Sequence, residues 1–291
     1  MAVTGMIDTG REALFVREWG RGERAVMFLH GLGGTGQQIG EIAPLIAAPG
    51  VRLVAPDLPG SGQSPPLARE DYRTERLADV VLRLLDASGL ERVDVIGFSW
   101  GASAGVYLSA AHPERLRSLV LLDGGYVDWP EMPEYPGEAA WEERLSRARE
   151  LESQFVFGGW AEWEASIRER YHRLPPERLE SFRSQYREQD GAVAPWLRAE
   201  TFAAALEGGE LAPPSHALAR IQANLPVLLL SAGEPERMRE VRESGRWRFA
   251  RMVPHAEIRV LPDLSHDLLG EGGPEVGRIV ADWLALSCSG S

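Results

Sequence analysis

Two side chains in this sequence have the type and the setting to act together as nucleophile and base. Ser99 lies in Gly97-Phe98-Ser99-Trp100-Gly101, where an apolar β-type run (Val93, Val95, Ile96) gives way to an Ala-rich helical segment that buries Ala102, Val106 and Ala110. A serine on so tight a strand-to-helix turn is held in a strained backbone conformation, and glycines two residues before and after it remove side chains that would collide. That strain lifts the hydroxyl above the sheet. A serine hydroxyl is a poor nucleophile near neutral pH and needs a histidine base, itself oriented by a carboxylate. Of the six histidines, His266 follows the last apolar run and lies where Ser99 points. His255 precedes that run, at the wrong end of a parallel sheet. His112 closes the helix after Ser99, while His172 and His216 belong to the central region, where a solvated or packed role is the default.

The elements that must position this pair alternate along the chain. Two β-type runs surround Asp8-Thr9-Gly10 within residues 3–19, and a buried strand from Ala25 to Leu29 ends in His30-Gly31-Leu32-Gly33-Gly34. The spacing of Ile39, Ile42 and Ala43 predicts a helix from about Thr35 to Ile46, followed by a strand from Val51 to Ala55 and the loop Asp57 to Ser64. Apolar residues at helical spacing run from Thr74 to Ala87, stopped by Ser88-Gly89. After the Ser99 segment, Leu116 to Leu122 reads as a strand ending at Asp123-Gly124-Gly125. Short apolar strands alternating with helices mean a parallel sheet covered on both faces, with ligand chemistry at the carboxyl ends of its strands. The expected fold is α/β, with about eight mostly parallel strands.

Residues 126–214 break this alternation. They hold five of the nine tryptophans and helical stripes but no convincing strand: Trp141, Leu145, Ala148, Leu151 and Phe155; Trp160, Trp163, Ile167 and Tyr171; Leu179, Phe182 and Tyr186. The segment reads as a helical cap inserted into a core of residues 1–125 and 215–291. Its aromatic residues, Trp129, Trp160 and Trp163 among them, are expected to wall the pocket. The α/β pattern resumes with a strand from Val227 to Leu230, a helical stretch to about Arg251, a strand from Ala256 to Leu261 and a helix from about Pro274 to Leu286.

Composition excludes several functions. The formal charge of −12 argues against nucleic acid or an anionic membrane as partner, leaving a small-molecule substrate. There is no lysine, which removes Schiff-base chemistry and the phosphate loop ending in Gly-Lys-Ser/Thr; nor is there a His-Glu-x-x-His zinc motif. No cofactor or metal is expected. The single cysteine, Cys288, lies in a small polar tail, so no internal disulfide or Cys-based zinc site can form. The first twelve residues lack a basic segment followed by an apolar core, and no apolar run approaches the ~18 residues that span a bilayer. A cytoplasmic location is expected, and nothing in the sequence sets an oligomeric state.

Taken together, His30-Gly31 after a strand, Asp57-x-Pro-Gly-x-Gly-x-Ser64, the turn at Gly97 to Gly101 and His266 after the last strand resemble the α/β-hydrolase fold family, over nearly the whole chain. The resemblance implies an oxyanion hole formed by the backbone amides of Leu32 and Trp100, with the glycines at 31, 33 and 34 letting that loop approach closely. It also implies an acid between Ser99 and His266 in chain order. The usual place is the loop after Val227 to Leu230, but Ser231-Ala232-Gly233-Glu234-Pro235-Glu236 has no aspartate; Glu236, or Glu234, could serve. Some family members carry the acid at the end of the preceding strand, where this chain has Asp123, the favoured candidate.

The implied activity is cofactor-free cleavage of a carboxylic ester or related acyl bond through an acyl-enzyme. Carbon–carbon bond hydrolase, lactonase, aminopeptidase, perhydrolase and lyase chemistries use the same residues and stay open. Two rivals come from other classes. Gly31-Leu32-Gly33-Gly34-Thr35-Gly36 matches a dinucleotide-binding Gly-x-Gly-x-x-Gly, with Asp57 about 20 residues on as a ribose ligand, the mark of an NAD(P)-dependent oxidoreductase. That reading leaves the serine turn, His266 and the Asp57 to Ser64 loop unexplained. A non-catalytic ligand receptor would have no need of the Ser–His pair.

Overall fold

The structure is a computed structural model and describes residues 2–170 and 178–287. Tyr171, His172 and Cys288 lie outside the described residues. Eight strands form one twisted sheet: β1 (Val3–Asp8), β2 (Ala13–Gly20), β3 (Arg24–Leu29), β4 (Val51–Pro56), β5 (Val93–Phe98), β6 (Leu116–Leu122), β9 (Val227–Ala232) and β10 (Glu257–Leu261). The remaining two, β7 (Tyr186–Gln189) and β8 (Ala192–Pro195), form a separate hairpin. The sheet order is β1-β2-β4-β3-β5-β6-β9-β10. β1 and β2 pair antiparallel to each other and β2 to β4, and the other neighbours are parallel.

Strand β5 is buried at every position, which its unbroken apolar run requires of a central parallel strand. Val93 and Val95 face one layer with Leu77, Leu84, Ala102, Val106 and Phe249. Ile96 and Phe98 face the other, with Ile42, Val276, Val280 and Trp283. The helices Thr74–Ala87, Trp100–Ala111 and Arg239–Met252 thus cover one face, and Leu268–Ser287 the other. All parallel strands end on the same side, so the segments after β3, β5, β6, β9 and β10 converge at one edge of the sheet.

Three sequence expectations are corrected. The helix expected over Thr35 to Ile46 is a short 3-10 turn (Gly36–Ile39) and one helical turn (Ala43–Ile46). Gly36 lies so close to β4 that a Cβ there would sit 2.3 Å from the Ala55 carbonyl oxygen, and Pro44 lies in the first turn of the second piece. The last helix begins at Leu268 and carries Pro274 inside it. Residues 126–214 do contain strands: Tyr186 opens β7 instead of extending a helical stripe, the helix before it being only Leu179–Arg183. Asp190 and Gly191 connect the hairpin with φ of 53° and 80°, the left-handed pair that a two-residue Asp-Gly turn adopts. Otherwise the segment is helical, chiefly Trp141–Ser153, Trp160–Arg170 and Ala199–Leu211. Among the described residues no helix is long and apolar enough to cross a membrane.

Candidate active site

Ser99 sits directly after β5 with φ 51° and ψ −115°, a left-handed conformation that costs a non-glycine residue about 1–3 kcal/mol. Packing holds it there. A Cβ on Gly97 would lie 2.5 Å from the Ala102 Cα, one on Gly101 2.2 Å from the Leu29 carbonyl oxygen, and one on Gly124 2.4 Å from the Ser99 carbonyl oxygen. The glycines at 97 and 101 therefore let the helix Trp100–Ala111 turn back onto β3 and β5. Gly124 lets the chain leaving β6 pass against Ser99 itself.

The loop after β10 brings His266 to this point. His266 Nε2 is 2.9 Å from Ser99 Oγ, and its Nδ1 is 2.8 Å from Asp123 Oδ2. Its ring packs against Phe98, with centroids 5.2 Å apart. Asp123, at the end of β6, is itself in a left-handed conformation (φ 38°) and its side chain is buried. Its carboxylate accepts four hydrogen bonds. Oδ2 accepts from His266 and from Arg242 Nη2 (2.8 Å), while Oδ1 accepts from Tyr126 Oη (2.7 Å) and the Ala232 amide (3.0 Å). Burial drives the Asp123 pKa upward, but the bond to His266, the His266 charge and Arg242 outweigh it and hold the carboxyl at about 2.

Glu236 lies elsewhere: it is exposed and paired with Arg239 at 2.5 Å. Glu234 is exposed too, and what it contributes is its carbonyl oxygen, 2.6 Å from Arg242 Nη1. Leu32 and Trp100 line the same cavity as Ser99 and His266. Neither backbone amide is engaged in a hydrogen bond among the described residues; Trp100 opens its helix, where the first N–H groups have no intrahelical partner.

The loop carrying Leu32 is anchored by His30, which is fully buried. The Leu58 amide donates to His30 Nε2 at 2.7 Å, so Nδ1 carries the proton and donates to the Gly31 carbonyl oxygen at 2.7 Å. Burial lowers its pKa to about 4 despite that bond, and the ring is a neutral brace. Asp57 is also fully buried. It binds Arg17 and accepts from the Gly36 amide (2.9 Å) and the Gln63 amide (3.0 Å). Engaged on both oxygens, it braces the loop and is not available to a ribose, which removes the structural basis of the dinucleotide reading.

The cavity over Ser99 measures ≈ 470 Å³. Its walls are mainly apolar, with Trp129, Met132, Phe202 and Leu206 facing Ser99 and His266. Trp129 is where the sequence reading expects it. Trp160 and Trp163 are not: they belong to a separate cluster with Phe157, Ile167 and Val193. Two further cations border the cavity, Arg237, bound to Glu134, and Arg242, bound to Asp123. Sequence reading passes over Arg242 and Tyr126. The only signal for Arg242 is its i, i+4 spacing from Arg246, obscured by six arginines between 237 and 251.

Residues 24–272 match the model of the alpha/beta hydrolase fold family, and the chain belongs to that family of hydrolases. Over 116 residues it is 38% identical to 2-hydroxy-6-oxononadienedioate/2-hydroxy-6-oxononatrienedioate hydrolase 2 of Pseudomonas putida, a match covering 38% of this chain and 40% of that protein. Over 79 residues it is 37% identical to 2-hydroxymuconate semialdehyde hydrolase of Pseudomonas putida, covering 27% and 28%. The matches thus span about two fifths or less of these relatives' length. Among solved structures, E-2-(acetamidomethylene)succinate hydrolase superposes with a TM-score of 0.81 at 20% identity, covering 98% of this chain and 100% of that one. A thioesterase domain from the curacin biosynthetic pathway superposes with a TM-score of 0.76 at 18% identity, covering 97% and 99%. At such identities the likeness concerns the fold.

Proposed function

We propose that this hydrolase cleaves the carbon–carbon bond beside a ketone in a small conjugated substrate, through an acyl-enzyme on Ser99 and without cofactor. The carrying observation is the continuous chain Ser99–His266–Asp123, at 2.9 and 2.8 Å. His266 takes the Ser99 proton as Oγ attacks the carbonyl carbon, Asp123 holds the imidazole and balances the charge it gains, and the Leu32 and Trp100 amides receive the oxyanion. The 2-hydroxy-dienoate reacts as its 2-oxo-3-ene tautomer, the hydroxyl proton having moved to the carbon beside the ketone; as the carbon–carbon bond breaks, its electron pair is then delocalised onto the 2-oxo oxygen and His266 returns the proton to that fragment. Water then hydrolyses the acyl-enzyme by the same proton route. The choice of bond is supported by the relatives: a 2-hydroxy-6-oxo-dienedioate contains no ester or amide, so its hydrolysis must break a carbon–carbon bond. Residues 126–214 serve as a cap whose Trp129 and Phe202 select the substrate.

Cleavage of a carboxylic ester is the second reading, favoured by one observation. Both cations bordering the cavity are already paired, Arg237 with Glu134 and Arg242 with Asp123, and the walls suit a neutral acyl group better than a dicarboxylate. One experiment separates the two: loss of the absorbance of a 2-hydroxy-6-oxo-dienoate is followed beside release of p-nitrophenol from an ester chain-length series, with Ser99→Ala as control. Turnover of the esters alone would replace the first reading with the second. Turnover of either that survives in Ser99→Ala would sink both.

A further inference from the structure

We infer that Arg242 is a positioning residue for the triad: by sharing Asp123 Oδ2 with His266, its guanidinium limits how strongly that carboxylate draws a proton onto the histidine. This rests on the proposed roles of Ser99, His266 and Asp123. The geometry is specific. Arg242 is 3% exposed, so its charge is little screened by water. Nη2 bonds Asp123 Oδ2 at 2.8 Å, the distance at which His266 Nδ1 bonds the same oxygen, and Nη1 bonds the Glu234 carbonyl oxygen at 2.6 Å.

The helix Arg239–Met252 is built to deliver this cation. A Cβ on Gly245 would lie 2.7 Å from Val127 Cγ2 and 2.9 Å from the Tyr126 carbonyl oxygen, so the helix rests directly on the chain leaving Asp123. One turn after Arg242, Arg246 Nη1 bonds Ser231 Oγ at 2.9 Å, and Ser231 Oγ lies 2.9 Å from Tyr126 Oη, which donates to Asp123 Oδ1. Two arginines on one helix face therefore act on the two oxygens of one carboxylate, the first directly and the second through Ser231 and Tyr126.

An arginine so placed has a chemical consequence. An unshared Asp123 would stabilise the imidazolium strongly, and His266 would stay protonated, useless as a base, to higher pH. Arg242, sharing the same oxygen, offsets that attraction. The other charged groups around His266 leave this balance in place. On its own loop, Asp267 accepts from the Gly270 amide and Glu271 from Ser265, and burial raises the Asp267 pKa. Arg178, beneath the loop, is bound to Glu41 and to the Leu269 and Gly270 carbonyl oxygens. Across the cavity Arg237 and Glu134 neutralise each other.

The test reads the rate of fluorophosphonate labelling of Ser99 against pH, which needs no knowledge of the substrate, in Arg242→Gln, Arg242→Met and Arg242→Lys, with thermal melts to establish folding. In the Gln or Met variant the acidic limb moves up by about one pH unit, so that labelling below the limb falls about 10-fold while the plateau at higher pH is largely kept. Arg242→Lys, which retains the charge, leaves the limb in place. A limb that stays put while labelling drops at every pH would show Arg242 to be purely structural and overturn the inference. If Gln and Met both fail to fold, a limb displaced upward in Arg242→Lys overturns it instead. No labelling of the unsubstituted protein at any pH is a different result, which removes the serine-hydrolase reading itself.

Discussion

Asp123→Asn separates the carboxylate's chemical role from its structural one. The carboxylate accepts from four donors: His266 Nδ1, Arg242 Nη2, Tyr126 Oη and the Ala232 amide. An amide has one oxygen and one NH2. With its oxygen toward His266 and Arg242, its NH2 faces the Ala232 N–H; turned round, it faces two cationic or donating groups. In both orientations Arg242, 3% exposed, loses its counter-charge, and leaving one partner of a buried ion pair alone costs about 3–5 kcal/mol. That is a large share of a typical net stability of about 5–15 kcal/mol. Catalysis suffers separately, because the histidine loses its orienting acceptor and the charge that balances it; the expected loss is up to about 10⁴-fold in turnover, or roughly 5 kcal/mol in the barrier. Both effects are read on one preparation, by a urea or thermal melt and by turnover, with Glu236→Gln alongside. Glu236 is 69% exposed in its pair with Arg239, a contact worth at most about 1 kcal/mol, so that variant stays near wild type in both assays. The opposite pattern, a crippled Glu236→Gln with a near-normal Asp123→Asn, would refute the assignment.

Three further outcomes follow from the same contacts. Gly124→Ala puts a methyl 2.4 Å from the Ser99 carbonyl oxygen and 2.6 Å from its Cα, displacing this proposed nucleophile by a few tenths of an ångström; turnover should fall at least about 10-fold, and an unchanged rate would show that this approach is not needed. His30, with its pKa lowered from 6.5 to about 4, takes up a proton on unfolding between those two values. Its contribution is therefore complete above pH 6.5 and is lost as pH falls toward 4, by roughly 3 kcal/mol in total; urea midpoints that stay flat from pH 6.5 to 4 would contradict the buried neutral ring. Trp129→Ala should alter relative rates across an ester chain-length series, whereas Trp160→Ala, outside the cavity, should not; equal profiles would remove the cap from substrate choice.

The legible and illegible parts of the chain differ in how local their causes are. The Ser99 turn is legible because strand, glycines and helix lie within some fifteen consecutive residues, and the meeting of His266 with Ser99 because a parallel sheet dictates which end of a strand the loops share. The hairpin Tyr186–Pro195 carried its own signal in Asp190-Gly191, hidden by aromatic residues that also satisfy a helical spacing. The short pieces between Gly36 and Ile46 are illegible along the chain because what breaks the helix is Gly36 pressed against Ala55 of β4, a neighbour nineteen residues away.

The position of the acid is hidden along the chain for a related reason. β6 and β9 are adjacent parallel strands, so the segments after both end within reach of His266, and no pattern along the chain says which supplies the carboxylate. In space the two segments have complementary roles. The end of β6 supplies the anion, and the segment after it supplies Tyr126. The end of β9 supplies the Ala232 amide, and the following helix the Arg242 guanidinium. A carboxylate at Glu236 would have had to come from the very segment that contributes donors here. The helix after β9 thus brings cations to a carboxylate from β6, and the run of arginines that looks like a solvated surface in the sequence includes Arg242, the proposed positioning residue.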